Sequence, residues 1–166
     1  SEAFSQSCVP RVRMDYCYLT EKVEQEITEQ GEAEMSSASD SATVLVMQES
    51  VCRSVWAYAV DRKGAAEDGV INQVAEDLDT VGLRNDRVII KSDQEVSIVD
   101  AAKAIAEVRA TQYGTAIENS SVGDSDSNGT IERAIHDVEQ QVRVLRAALE
   151  IRINRKVHLR EAVVPW

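Results

Sequence analysis

Residues 11 to 19, RVRMDYCYL, alternate in side-chain type and carry aromatic and branched residues, the signature of a β-strand with Asp15 at its middle. Two further strands are predicted at TVLVMQES (43–50) and RSVWAYAV (53–60). The short connection between them makes a three-stranded antiparallel meander. The stretch DRKGAAED breaks that pattern, and the period then changes. Val70, Ile71, Val74, Leu78 and Val81 recur at helical spacing, and Gly82 stands where a C-terminal cap belongs. A strongly apolar strand follows at 86–93 and ends on Asp93. Ile98, Ala102, Ile105 and Val108 mark a helix over 95–110, and GTAIEN (114–119) is a brief strand. Ser120 to Asn128, rich in Ser, Gly and Asp, is expected to be a loop. Beyond it Ile131, Ile135, Val138, Val142, Leu145 and Leu149 repeat at steps of four and three, the longest amphipathic stripe in the chain. The order β-β-β-α-β-α-β-α predicts an α/β fold, a mixed five-stranded sheet with helices on its faces.

With 166 residues the chain fits one domain able to bury about 70% of its unfolded surface. Hydrophobic content of 43% and charged content of 28% are ordinary for a globular protein, and no apolar run is long enough for a membrane span or signal peptide. The start at Ser1 without an initiator Met and the stop at VVPW lead us to expect a piece of a longer polypeptide. Cys8, Cys17 and Cys52 show neither CxxC spacing nor a histidine pair, so buried or half-buried free thiols in a reducing compartment are expected rather than zinc or disulfides.

A net charge of −11 argues at first against nucleic acid, whose binding is driven by Lys and Arg. The charge is unevenly spread. Residues 21–40 hold seven acids against Lys22 alone, a net of −6, which leaves the rest of the chain far closer to neutral. This tract, within 20–42, is expected to be an acidic loop or insert.

Asp124, Asp126 and Asn128 at alternate positions, followed by Gly129, reproduce the first half of an EF-hand loop. The pattern fails where the bidentate acid should stand, because that position is Ile135 of the apolar stripe. Three other carboxylates fall on three different elements. Asp15 lies within the first strand, Asp93 at the end of the fourth, and Glu132 in the first turn of the last helix. A charge inside a strand is costly unless it is paired or bound to metal, so Asp15 is either salt-bridged to Arg11 or Arg13, turned to water at an edge, or a ligand. Converging carboxylates are what two Mg²⁺ ions need to promote in-line displacement at a phosphodiester. With 29 acids in the chain, spacing alone selects no triple.

The local words are more specific. RVRMDYCYL, VIIKSDQEVSIVDAAKAI, ENSSVGDSDSNGTIERAIHDVEQQVRVLRAALE and VVPW together resemble the catalytic core of a retrotransposon or retroviral integrase. The likeness covers about 11–19 and 43–166 and leaves the acidic insert outside. It implies a ribonuclease H-like fold, cut short at the C-terminal end, in which residues 1–166 form an integrase-type core from a longer polyprotein. It also implies an Asp-Asp-Glu triad of Asp15, Asp93 and Glu132, holding two Mg²⁺ or Mn²⁺ ions. The implied activity is metal-dependent 3′-end processing and strand transfer of element DNA into target DNA. Related readings on the same fold are a hydrolysing nuclease and a non-catalytic DNA-binding module. Asn128 and Gly129 would belong to a mobile active-site loop, and Gln94, Arg133 and His136 would contact DNA. Arg146, Lys91 and Lys63 are further candidates for phosphate contacts. For His136 a half-exposed structural role competes with contact to phosphate or metal. Implied partners are DNA and further copies of the chain, with no membrane, and the implied location is the nucleus after a cytoplasmic particle stage. The 38 residues between Asp93 and Glu132 make a slightly long gap for this family, and Glu139 stands where relatives tend to present basic residues.

Overall fold

The computed structural model describes residues 9–20, 41–64, 68–110, 114–119, 125–159 and 161. The first strand, β1 (Arg11–Thr20), divides its side chains between two cores. Val12, Met14 and Tyr16 enter one, while Cys17 and Leu19 enter the other. A strand buried on both faces belongs in the middle of a sheet. β1 is the centre of five, in the order β3-β2-β1-β4-β5.

The strands β2 (Ser41–Glu49) and β3 (Val55–Val60) complete an antiparallel meander with β1. The strands β4 (Val88–Ser92) and β5 (Thr115–Asn119) continue the sheet in parallel on its other side. Parallel neighbours need a crossover, and the helix α2 (Val96–Arg109) supplies it between β4 and β5. The expected α/β fold with a mixed five-stranded sheet is therefore what forms.

The helices sort by face. α2 presents Ile98, Ala101, Ala102 and Ile105 to the core that holds Val12 and Met14, and α1 (Asp68–Leu78) adds Ile71, Val74 and Leu78 beside it. α1 runs on into a π turn, Asp79–Leu83, where Gly82 takes φ 89°, the left-handed geometry expected of a helix-ending glycine. Arg109, buried at the end of α2, donates from Nη2 to the Leu83 carbonyl at 2.7 Å and so ties the two helices together. α3 (Ser125–Ile153) covers the opposite face with Ile131, Ala134 and Val138 against Cys17, Leu19, Val44 and Val46.

Four expectations need correction. The last helix starts at Ser125, so Ser125–Asn128 is not loop and neither Asn128 nor Gly129 belongs to a mobile one. Ser and Asp are the residues that suit a first turn, where free N–H groups and the helix dipole favour oxygen-bearing side chains. The remainder of the expected loop, 120–124, with Asp124, lies outside the described residues. The acidic insert is shorter than 20–42, because Thr20 pairs with Ser41 and Leu19 with Ala42 in the β1–β2 ladder. Residues 21–40 themselves lie outside the described residues, as do Cys8 and VVPW. Cys17 is buried as expected, but Cys52 is exposed, because the turn after β2 carries it off the sheet. Finally, the stripe of α3 is buried only in its first half. At about 1.5 Å per residue the helix outruns the strands beneath it, and Leu145 is 53% exposed.

Candidate active site

The parallel pairing of β1 with β4 sets Arg13 beside Lys91. Two residues further along each chain, on the same faces, come Asp15 and Asp93. Asp15 shares the α3-facing side of β1 with Cys17 and is half-buried, and Asp93 sits just past the C-terminal end of β4, exposed. The strand therefore points Asp15 toward the α3 layer, and neither Arg11 nor Arg13 pairs with it among the described residues. Its Oδ1 accepts the Tyr16 N–H at 2.8 Å.

The electrostatics bind the two aspartates into one cluster. Burial pushes the Asp15 carboxyl above its ordinary value, the Tyr16 N–H draws it back, the negative charges of Asp93 and Glu95 raise it again, and Lys63 opposes them. Asp93 Oδ1 accepts the Glu95 N–H at 3.0 Å, which fixes the turn between β4 and α2. Glu95 accepts the Ser97 hydroxyl at 2.6 Å and the Lys63 ammonium at 2.9 and 3.2 Å; these hold its carboxyl below the usual range, Ser97 foremost. Lys63 in turn stands 5.2 Å from the Tyr16 ring centroid and 5.0 Å from that of Tyr18. The Tyr16 hydroxyl accepts the Gly64 N–H at 2.9 Å and anchors the chain that carries this lysine.

The remaining sequence candidates are distributed as follows. Glu132 lies one residue past the buried Ile131 of α3, with its own side chain exposed. The negative charges that raise the Asp15 carboxyl are those of Asp93 and Glu95. Among the described residues, no group of three His, Cys, Asp or Glu side chains is drawn together closely enough to hold a metal ion. Gln94 is exposed beside Asp93, and Gly129 and Arg133 are exposed on α3. The side chain of Asn128 lies outside the described residues. His136 is 67% exposed with its Nδ1 3.9 Å from Asp137, so it fills no structural position.

Of the lysines and arginines proposed for phosphate, Lys63 is engaged by Glu95, Lys91 by Glu118 at 3.7 Å and Arg146 by Glu150 at 3.2 Å. Arg133 carries no such partner among the described residues. Sequence reasoning missed the Lys63–Glu95 pair because its members lie 32 residues apart and only the fold joins them. Its one signal was an acid two residues past Asp93. Glu49 was also missed. It is 1% exposed, and its carboxylate accepts the N–H groups of Val51 and Cys52, both at 2.7 Å, and the Cys52 thiol at 2.9 Å.

Two neighbouring carboxylates with few competing donors present oxygen ligands of the kind that hard divalent cations take. The chain matches no protein-family model and no curated protein.

Proposed function

We propose that the chain is a metal-dependent polynucleotidyl transferase core of the integrase type, with a ribonuclease H-like fold, acting on element and target DNA in the nucleus of its host. The observation that carries the reading is the placement of Asp15. It stands mid-strand at the centre of a 3-2-1-4-5 sheet, turned toward α3, with Asp93 beside it at the end of the parallel neighbour. The negative charge of Asp93 adds to burial in raising the Asp15 carboxyl, and Lys63 opposes it only in part, because that ammonium is already held by Glu95. A divalent cation would offset the repulsion, and Mg²⁺ or Mn²⁺ suits an all-oxygen donor set.

Asp15 and Asp93 would hold one ion, and Glu132, on the first turns of α3, would help to hold a second. When bound, such ions activate a water or DNA 3′ hydroxyl and stabilise the leaving oxygen of an in-line displacement. The protein's own part is positional. β1 and β4 fix the two aspartates, the Glu95 N–H orients Asp93, and Lys63 holds Glu95 in an ion pair. Gln94, next to Asp93, and Arg133, next to Glu132, would contact the DNA, and both are exposed. Homo-oligomers are part of the proposal, supported by the apolar residues that α3 leaves exposed, Val144 and Ile151 among them.

The test is strand transfer, and its reversal on branched DNA, with Mg²⁺ or Mn²⁺. Asp15→Asn, Asp93→Asn and Glu132→Gln are each expected to lower the rate by about 100-fold or more while the fold is kept. Activity that survives all three substitutions would reject the assignment. Hydrolysis without joining would move the reading to a nuclease on the same residues.

A further inference from the structure

A cavity of about 520 Å³ opens between the start of α3 and the β2–β3 turn. It is lined by Arg13, Arg53 and Arg133, together with Gln48, Glu49 and Thr130. Three elements far apart in sequence thus each bring one guanidinium to the same space. Like charges gather this way only against a cost, so the usual finding would be carboxylates between them. Among the described residues none of the three arginines has an ion-pair partner. Among the described residues the one acid in the lining is Glu49, and its carboxylate is already taken by the Val51 and Cys52 amides and the Cys52 thiol. In a chain with a net charge of −11, three arginines without an ion pair among the described residues are not the outcome of average composition.

A second observation concerns Arg13 itself. Its Nε is buried without a hydrogen-bond partner, and so is Oε1 of Gln48, the residue paired with it across the β1–β2 ladder. A buried guanidinium N–H left unsatisfied is costly and marks a place where an acceptor is missing. Arg53 reaches the cavity from a turn in which it adopts φ 59°, a left-handed conformation uncommon for a residue with a side chain.

We propose that this cavity takes a backbone phosphate of a nucleic-acid strand, whose oxygens accept hydrogen bonds from the guanidinium groups of Arg13, Arg53 and Arg133. Arginine forks match the oxygens of a phosphate, and the cavity is large enough to admit one with its flanking sugar. The assignment rests on the nucleic-acid reading above and adds a second contact to it. Arg13 and Asp15 lie on the same side of β1, about 7 Å apart along the strand. That interval is comparable to the step between neighbouring phosphates of one strand, so a phosphate in the cavity would leave the next one facing Asp15.

Binding of a fluorescein-labelled duplex oligonucleotide, followed by anisotropy in EDTA across a salt series, separates this contact from metal chemistry. The variants are Arg13→Gln, Arg53→Gln, the Arg53→Gln/Arg133→Gln double, and Lys103→Gln as a control on the opposite face. Thermal melting of each variant verifies that it folds; Arg53 and Arg133 are exposed, so their double variant serves even if Arg13→Gln does not fold. The double variant is expected to bind about tenfold more weakly, with a slope of log affinity on log salt shallower by about 1, as loss of one phosphate contact requires. Unchanged affinity and slope, or an equal loss in Lys103→Gln, would overturn the proposal. So would inorganic phosphate that shifts the arginine side-chain resonances while duplex binding is the same in all variants, which would mark a site for a free anion. Asp93→Asn should bind duplex normally here and fail only in strand transfer. Arginine variants that bind normally beside an active wild type sink the pocket alone, whereas their weakened binding beside an inactive wild type sinks the catalytic reading alone.

Discussion

Asp15 shows what a single misplaced charge costs and what it reveals. Its neighbours on β1 are buried or half-buried, so its carboxylate gives up part of its hydration, and Asp93 and Glu95 add repulsion. The folded protein therefore prefers the protonated form more than the unfolded chain does. A carboxyl raised above its ordinary 3.8 contributes most to stability below that pH, and the contribution is lost as pH rises through the higher folded value. Asp15→Asn is accordingly expected to raise the melting temperature at pH 7 and to change it little at pH 3, as melting curves across pH will register. A lower melting temperature at pH 7 would mean that the carboxylate is compensated after all. At this scale the sequence was informative, since an acid amid alternating strand residues is conspicuous. Lys63 and Glu95 were not, because a salt bridge across 32 residues leaves no local pattern.

The start of α3 turns on the difference between a loop glycine and a helical one. Ser, Asp, Asn and Gly cluster over 123–129, and that composition favours loops, yet the helix is already formed at Ser125. Gly129 lies within it, has no left-handed φ, and would meet nothing within 4 Å if given a Cβ. Gly129→Ala is therefore expected to stabilise the protein by about 1 kcal/mol, measured by urea unfolding. A loss of stability would instead indicate a left-handed loop glycine at this position. The β2–β3 turn has the opposite lesson. Its ends were placed within two residues by the hydrophobic pattern, but the buried Glu49 that organises it through three hydrogen bonds was invisible, because only the closed turn aims those donors at one carboxylate.

Across the whole molecule, two cores share one sheet and are unequal. The side covered by α1 and α2 buries Ile98, Ile105, Met14 and Met47 almost completely, whereas α3, joined by Leu159 from the segment after it, covers the other and extends past it. None of the described helices is long and apolar enough to cross a membrane. Ile98→Ala is expected to cost about 2–5 kcal/mol, since it removes methylenes from a closed core. Ile151→Ala, at a position 82% exposed, should stay within about 0.5 kcal/mol in the same denaturation experiment. A large loss at Ile151 in dilute solution would show that the overhang is packed against something.

Hydrophobic periodicity along the chain marks the elements, their order and the α/β class, because it is a local property that survives wherever the chain goes. The sequence also singled out Asp15, Asp93 and Glu132 through the words that surround them. The central place of β1, the approach of Asp93 to Asp15, and the meeting of three arginines from β1, the β2–β3 turn and α3 at one cavity arise only when the chain folds. Those are matters of register and through-space charge between distant segments, and no run of neighbouring residues encodes them.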